Sequence, residues 1–323
     1  MRAALVRSYG PPESVGVELV DDPTPAAGEV VIEVRAAAVN FPDVLLIRNE
    51  YQVHVNPPFI PGSEFAGTVR DVADDVTEIR PGDRVLGATF IGAFAELVAA
   101  PAAGLLRLPK GVQFREAAAF WVTYSTAYHA LRSVAQVAPG DWVTVLGAAG
   151  GVGMAAIDVA RALGGRVLAA ASSVDKLRAC RERGAEATVD YATEDLKMRM
   201  RELTGGGADV VIDPVGGPYS EQALRSTRWG GRFVVVGFAS GTIPSVPLNL
   251  VLLKGAIVRG FDLRTFGEHA PAELARDRRE LLELVGSGQL RPLVSAVFPL
   301  ERVGDALAHL GSRRAIGKVV VEP

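Results

Sequence analysis

Residues 142–163 constrain the fold more than any other stretch. Trp142-Val143-Thr144-Val145-Leu146 has the apolar, β-branched character of a buried strand, and a helix is expected from Gly153 to about Leu163. Between them stand Gly147-Ala148-Ala149-Gly150-Gly151-Val152-Gly153. The dinucleotide spacing G-x-G-x-x-G is met only as Ala148-x-Gly150-x-x-Gly153, with Gly147 added at the strand end. In a strand–turn–helix setting the missing side chains allow a tight turn. They also let backbone N–H groups approach a pyrophosphate, next to the partial positive charge of the helix N-terminus. The alternative is a glycine-rich turn that holds no ligand.

The same alternation continues downstream. Further strands are expected at 166–171, 188–190, 209–212, 232–236 and 256–258, with helices near 174–183 and 194–203. Apolar strand runs alternating with helices build βαβ units, so the class is α/β with a doubly wound parallel-sheet Rossmann domain. The first third reads differently. Val30-Val31-Ile32-Glu33-Val34, Gly67-Thr68-Val69-Arg70-Asp71-Val72 and Asp83-Arg84-Val85-Leu86 are strand candidates separated by Pro57-Pro58, Pro61-Gly62 and Pro81-Gly82. That pattern points to an irregular, barrel-like, mainly β domain. Past residue 264 a charged helix (272–285), a short helix (300–310) and a last strand (318–321) are expected to rejoin it. The expected domains are therefore 1–120 with 264–323, and 121–263.

A chain of 323 residues accommodates two domains of ordinary size. Its 34 Lys and Arg against 37 Asp and Glu leave a net charge of -3, which argues against a dedicated binder of nucleic acid or anionic membrane. No apolar run approaches the roughly 18 residues of a membrane span. The opening Met1-Arg2-Ala3-Ala4-Leu5-Val6-Arg7 lacks the apolar core of a signal peptide. Cys180 is the single cysteine, so neither an internal disulfide nor a multi-cysteine zinc site is available. A reducing, cytoplasmic location is expected.

The cofactor type is read at the end of the second strand. An acid about 20 residues past the glycines holds the ribose 2′-hydroxyl of NAD. Here Ser172-Ser173 stands at that place, with no acid to repel a 2′-phosphate, and Lys176 follows within a turn. The expectation is NADPH, with Ser172 and Lys176 at the phosphate. The plain alternative for Lys176 is a solvated helix residue.

Six stretches in order carry a family resemblance: Asn40-Phe41-Pro42-Asp43-Val44-Leu45, Pro61-Gly62-Ser63-Glu64-Phe65-Ala66-Gly67, Pro81-Gly82-Asp83-Arg84-Val85, Thr126-Ala127-Tyr128-His129-Ala130-Leu131, the glycine loop, and Gly317-Lys318-Val319-Val320-Val321. The chain resembles the medium-chain dehydrogenase/reductase superfamily in its zinc-free quinone oxidoreductase branch. The resemblance implies a GroES-like, mainly β catalytic domain in addition to the Rossmann domain. Zinc-dependent relatives carry Cys where this chain has Asn40, and Gly-His-Glu where it has Gly62-Ser63-Glu64. They also carry a four-cysteine lobe that this chain lacks. His54, His129, His269 and His309 are scattered without ligand spacing, so no metal residue is named. Without a Lewis acid to polarise a carbonyl, the expected reaction is hydride transfer to an acceptor already electrophilic, a quinone or an enone.

By the same resemblance Asn40, Asp43, Tyr51 and Thr126 line the nicotinamide and substrate cleft. Each has a structural reading beside it. Asn40-x-x-Asp43 with Pro42 is a good helix N-terminus, Tyr51 can simply pack, and Thr126 can be an ordinary helix residue. The implied cofactor-binding set is Gly147, Ala149, Gly150, Gly151, Val152, Gly153, Ser172, Lys176, Tyr191, Phe238 and Lys318. The chain departs from close relatives at Gly260-Phe261-Asp262-Leu263-Arg264, where Asp262 and Arg264 put charge into a segment that is often aromatic-rich. The implied activity is NADPH-dependent, metal-free reduction of quinones or related enones. The alternatives are a 2-enoyl-thioester reductase and a non-catalytic NADPH-binding protein. A homodimer joined at the sheet edge near Ala256-Ile257-Val258 is expected, with no nucleic-acid or membrane partner.

Overall fold

Mostly apolar strand runs are those buried on both faces, and in the parallel sheet two such runs, Trp142–Leu146 and Ala208–Asp213, stand at the centre. The computed structural model describes all 323 residues, Met1–Pro323. The chain divides into two units, Met1–Val122 with Pro292–Pro323, and Thr123–Arg291.

The first unit is built on the long strand Glu29–Val39, which pairs antiparallel with Glu64–Val72, Leu97–Pro101 and Lys318–Glu322. Arg84–Ala88 and Leu106–Arg107 extend one side, and Val294–Pro299 adds in parallel to Lys318–Glu322 on the other. A separate ribbon pairs Arg2–Leu5 with Gly16–Leu19. Ile32, Phe65 and Phe94 fill its core together with Val303 and Leu307 of the helix Val303–Gly311. Burying each such side chain contributes about 1.5–3 kcal/mol. This is the mainly β domain that the breaker-rich sequence implied.

The second unit carries six parallel strands in the spatial order Ala187–Asp190, Arg166–Ala171, Trp142–Leu146, Ala208–Asp213, Thr227–Val235, Ile257–Gly260. The order reverses direction beside Trp142–Leu146, the switch point at which doubly wound sheets bind ligands. Trp142–Leu146 and Ala208–Asp213 are buried along their whole length. The sixth strand lies at the edge, as expected from the sequence.

One boundary differs. The segment 264–291 was expected with the first domain, but it belongs to the second unit. Its helix Pro271–Gly286 is tied there by polar side chains. Tyr128 donates to Glu280 at 2.7 Å, His129 Nδ1 meets Asp277 Oδ2 at 2.8 Å, and Ser133 donates to Asp277 at 2.5 Å. No helix is long and apolar enough to cross a membrane.

Candidate functional site

The glycine loop adopts the strand–turn–helix path that its spacing requires. Gly147 takes a positive φ of 57°, Gly150 N–H donates to the Gly147 carbonyl at 3.0 Å, and the helix Gly151–Ala162 starts at once. A Cβ on Gly153 would stand 2.5 Å from the carbonyl oxygens of Gly147 and Ala148, so close backbone packing demands glycine there. Gly150 is different. Its φ of -76° suits any residue, and a Cβ would meet only the Gly147 oxygen at an ordinary 3.4 Å. Neither strain nor packing within the chain requires glycine at 150. The amides of Gly151, Val152 and Gly153 belong to the first helical turn, where N–H groups have no intrahelical acceptor and the dipole favours an anion. Ala149 is buried under the loop. These features fit a dinucleotide pyrophosphate.

The second strand, Arg166–Ala171, delivers the next residues. Ser172 is exposed just past its end, and Ser173 caps the helix Val174–Glu182 by accepting the Lys176 N–H at 3.4 Å. That cap turns Lys176 back over the strand end, where its Nζ donates to Ser172 Oγ at 3.2 Å. The nearest acid in sequence, Asp175, pairs with Arg178 at 2.9 Å. Tyr191 reaches the same end of the sheet: its N–H donates to the Ala171 carbonyl at 3.1 Å, and its ring lies 4.2 Å from that of Tyr219. Phe238, partly exposed, covers Gly216, on which a Cβ would come 2.8 Å from the Phe238 ring. The loop holding Gly216 is shaped by Asp213, whose carboxylate accepts the N–H groups of Val215 and Gly216 and the Ser220 hydroxyl. Burial pushes that carboxyl up. Thr126 is buried in the helix Trp121–His129.

The first unit holds a second centre. Asn40 precedes the helix Phe41–Ile47 with Asp43 three residues on, and Asp43 Oδ2 accepts the Asn40 backbone N–H at 2.7 Å. The Asn40 side chain is tied at both ends: Nδ2 donates to Glu64 Oε2 at 3.1 Å, and Oδ1 accepts from Lys318 Nζ at 2.7 Å. Lys318 also donates to Glu64 Oε2 at 3.1 Å and to the Val39 carbonyl at 3.3 Å. The other Glu64 oxygen accepts the Val122 N–H at 2.8 Å. Asn40, Asp43, Glu64 and Lys318 are all buried.

The structure gives three charged positions named from the sequence their local partners. Asp43 is wholly buried beside the helix start it closes. Lys318 does not stand open for a cofactor, because its ammonium is spent on Asn40, Glu64 and Val39. Asp262 caps the helix Leu263–His269 by accepting the Thr265 N–H at 2.9 Å, while Arg264 is exposed. Tyr51 is half-buried with its ring 6.3 Å from that of Phe90. Glu64 joins this cluster although the sequence reading did not name it among the site residues; an acid flanked by Phe65 and Ala66 on a strand is the signal that could have found it. Desolvation raises the Asp43 carboxyl to about 7, against the lowering effect of the Asn40 N–H and Lys318. No three His, Cys, Asp or Glu side chains converge as a metal-ligand group.

Residues 26–110 match the alcohol dehydrogenase GroES-like domain family and residues 151–283 the zinc-binding dehydrogenase family. The chain is 40% identical over 295 residues to quinone oxidoreductase-like protein 2 of Bos taurus, covering 91% of this chain and 84% of that protein. It is similar to the structure of Escherichia coli quinone oxidoreductase complexed with NADPH, with a TM-score of 0.93, 29% identity and full coverage of both chains. A structure described as an NAD-dependent alcohol dehydrogenase is also similar, with a TM-score of 0.91, 32% identity and full coverage of both.

Proposed function

Because the chain belongs to the medium-chain dehydrogenase/reductase superfamily, among its quinone oxidoreductase-like members, we propose that this nicotinamide-dependent oxidoreductase uses NADPH to reduce quinones or related enones without a metal. The observation that carries the cofactor choice is the Lys176–Ser172 contact of 3.2 Å. It sets a cation and a hydroxyl where an NAD-binding chain presents an acid. Lys176 and Ser172 would hold the 2′-phosphate, and the amides of Gly151, Val152 and Gly153 the pyrophosphate. Gly150 leaves room for it, and Tyr191 and Phe238 flank it. When bound, the reduced nicotinamide supplies a hydride.

The acceptor follows from the first unit. At the positions where zinc-bearing relatives place Cys and His, this chain has Asn40 and Ser63. The remaining acid, Glu64, and the Asn40 oxygen are both engaged by the Lys318 ammonium. An acceptor reduced there must be electrophilic without Lewis-acid help, which quinones and enones are. Neutral donors then meet the developing oxygen charge, with Asn40, Tyr51 and Thr126 the candidates. Two copies pair through the edge strand Ile257–Gly260, and the reducing cytoplasm suits a chain whose one cysteine is a buried thiol.

The test is an NADPH-oxidation screen over 1,4-benzoquinone, an enone and crotonyl-CoA, with dissociation constants for NADPH and NADH. Turnover on the quinone is expected. Lys176→Ala should weaken NADPH roughly tenfold or more, the worth of a charged hydrogen bond, and leave NADH unchanged. Tighter binding of NADH, or turnover confined to crotonyl-CoA, would overturn the proposal.

A further inference from the structure

The polar cluster of the first unit encloses two carboxyl groups and one ammonium. Lys318 has three N–H hydrogens, and the three acceptors on it are Asn40 Oδ1, Glu64 Oε2 and the Val39 carbonyl. Glu64 is thereby paired, and nothing is left for Asp43. The Asp43 Oδ2 has the Asn40 backbone N–H, the Ser63 hydroxyl is the one side-chain hydroxyl that hydrogen-bonds the carboxyl, and the buried Oδ1 has no close partner of its own. Ionised, Asp43 would be a second negative charge in dry surroundings without a cation of its own. The groups that act on it are Asn40 from its own helix turn, Glu64 and Ser63 from the chain around Glu64–Val72, and Lys318 from Lys318–Glu322. Of these only Ser63 is partly exposed, and its hydroxyl stands 3.5 Å from Asn40 Nδ2.

We propose that Asp43 is a proton store, holding a dissociable proton at neutral pH and releasing it outward through the Ser63 hydroxyl to the reduced acceptor. This rests on the reading of the protein as a reductase of quinones or enones. A quinone that gains a hydride is a hydroquinone monoanion, and an enone becomes an enolate; each needs one proton to become neutral. The Ser63 O–H proton moves to that anion, the Asp43 O–H bond breaks to restore the hydroxyl, and the carboxylate regains a proton from water between turnovers. No electrons change hands in these steps. Burial moves the Asp43 carboxyl from 3.8 up to about 7, so the proton is both retained and releasable.

The test uses the full chain and two readouts. The first is the carbonyl stretching band of a protonated carboxylic acid in pH-difference infrared spectra, which needs no acceptor. The second is kcat against pH with 1,4-benzoquinone and saturating NADPH. The wild type should show the acid band at neutral pH, and its kcat should fall as the pH rises through neutrality. Asp43→Asn should lose the band and flatten the profile. Ser63→Ala should keep the band and the NADPH affinity but lower kcat by about 100-fold, the low end for a positioned proton donor, and Ser63→Thr should restore it. A missing band at neutral pH, or a kcat profile unmoved by either variant, overturns the proton store alone. Absence of turnover with every quinone and enone while the band persists defeats the functional reading and the store's role with it.

Discussion

Lys318 and Glu64, 254 positions apart in the chain, form an ion pair of 3.1 Å with side chains only 5% and 0% exposed. A buried pair of this kind is weak evidence of net stabilisation, but breaking it from one side leaves a bare charge. Lys318→Met should therefore destabilise the protein by about 3–5 kcal/mol, and adding Glu64→Gln should recover much of the loss. Urea denaturation of the two single variants and the double variant measures this. Additive losses in the double variant would show that the two residues are not coupled.

Asp43 makes stability depend on pH with a definite sign. Its carboxyl lies at 3.8 ordinarily and at about 7 in the fold, so between these values the native state binds more protons than the unfolded one. Stability from this group is complete below about 3.8 and is lost as the pH rises through about 7. The full effect is roughly 4 kcal/mol as an upper figure. Asp43→Asn mimics the protonated form and should remove this fall. Denaturation midpoints of variant and wild type converging at pH 4 and separating at pH 8, with the variant higher, are the expected result; parallel curves would contradict it.

The two glycines of the loop should fail in different ways. Gly153→Ala forces a Cβ within 2.5 Å of two backbone oxygens, so it should lower stability by about 1–3 kcal/mol through overpacking. Gly150→Asp meets no such clash and should melt near the wild-type temperature, while its carboxylate repels a bound pyrophosphate and abolishes measurable NADPH binding. Thermal melts paired with NADPH titrations separate the cases. A Gly150→Asp protein that binds NADPH normally would place the cofactor elsewhere.

Local signals in the sequence were reliable because their physics is local. The strand, glycine turn and helix at 142–163 appear as expected, and Ser172 and Lys176 meet because a serine cap turns the helix back on its strand. Asn40 and Asp43 close a helix start, as their spacing allowed. What escaped depends on distant partners. Glu64 and Lys318 sit in separate strands and acquire meaning only through the sheet that joins them. The helix Pro271–Gly286 looks like a solvated charged face, yet Asp277 is fully buried against His129 and Ser133. The strand Val294–Pro299 alternates half-buried and exposed positions and ends in proline, which hides it among loop residues.

The edge strand Ile257–Gly260 pairs on one side only, with Thr227–Val235, and Ile257 and Val258 are 51% and 46% exposed. Nearby in sequence, Leu248, Leu252 and Leu253 of the helix Leu248–Lys254 are more exposed still. An apolar strand edge of this kind invites pairing with a second copy, and inward charge is the usual device that prevents it. The wild type should therefore have the mass of a dimer by multi-angle light scattering. The double variant Ile257→Lys/Val258→Lys should have the mass of a monomer and retain NADPH binding, because the glycine loop lies three strands away in the sheet. A wild-type chain that is already monomeric at micromolar concentration would remove the edge strand as an assembly surface.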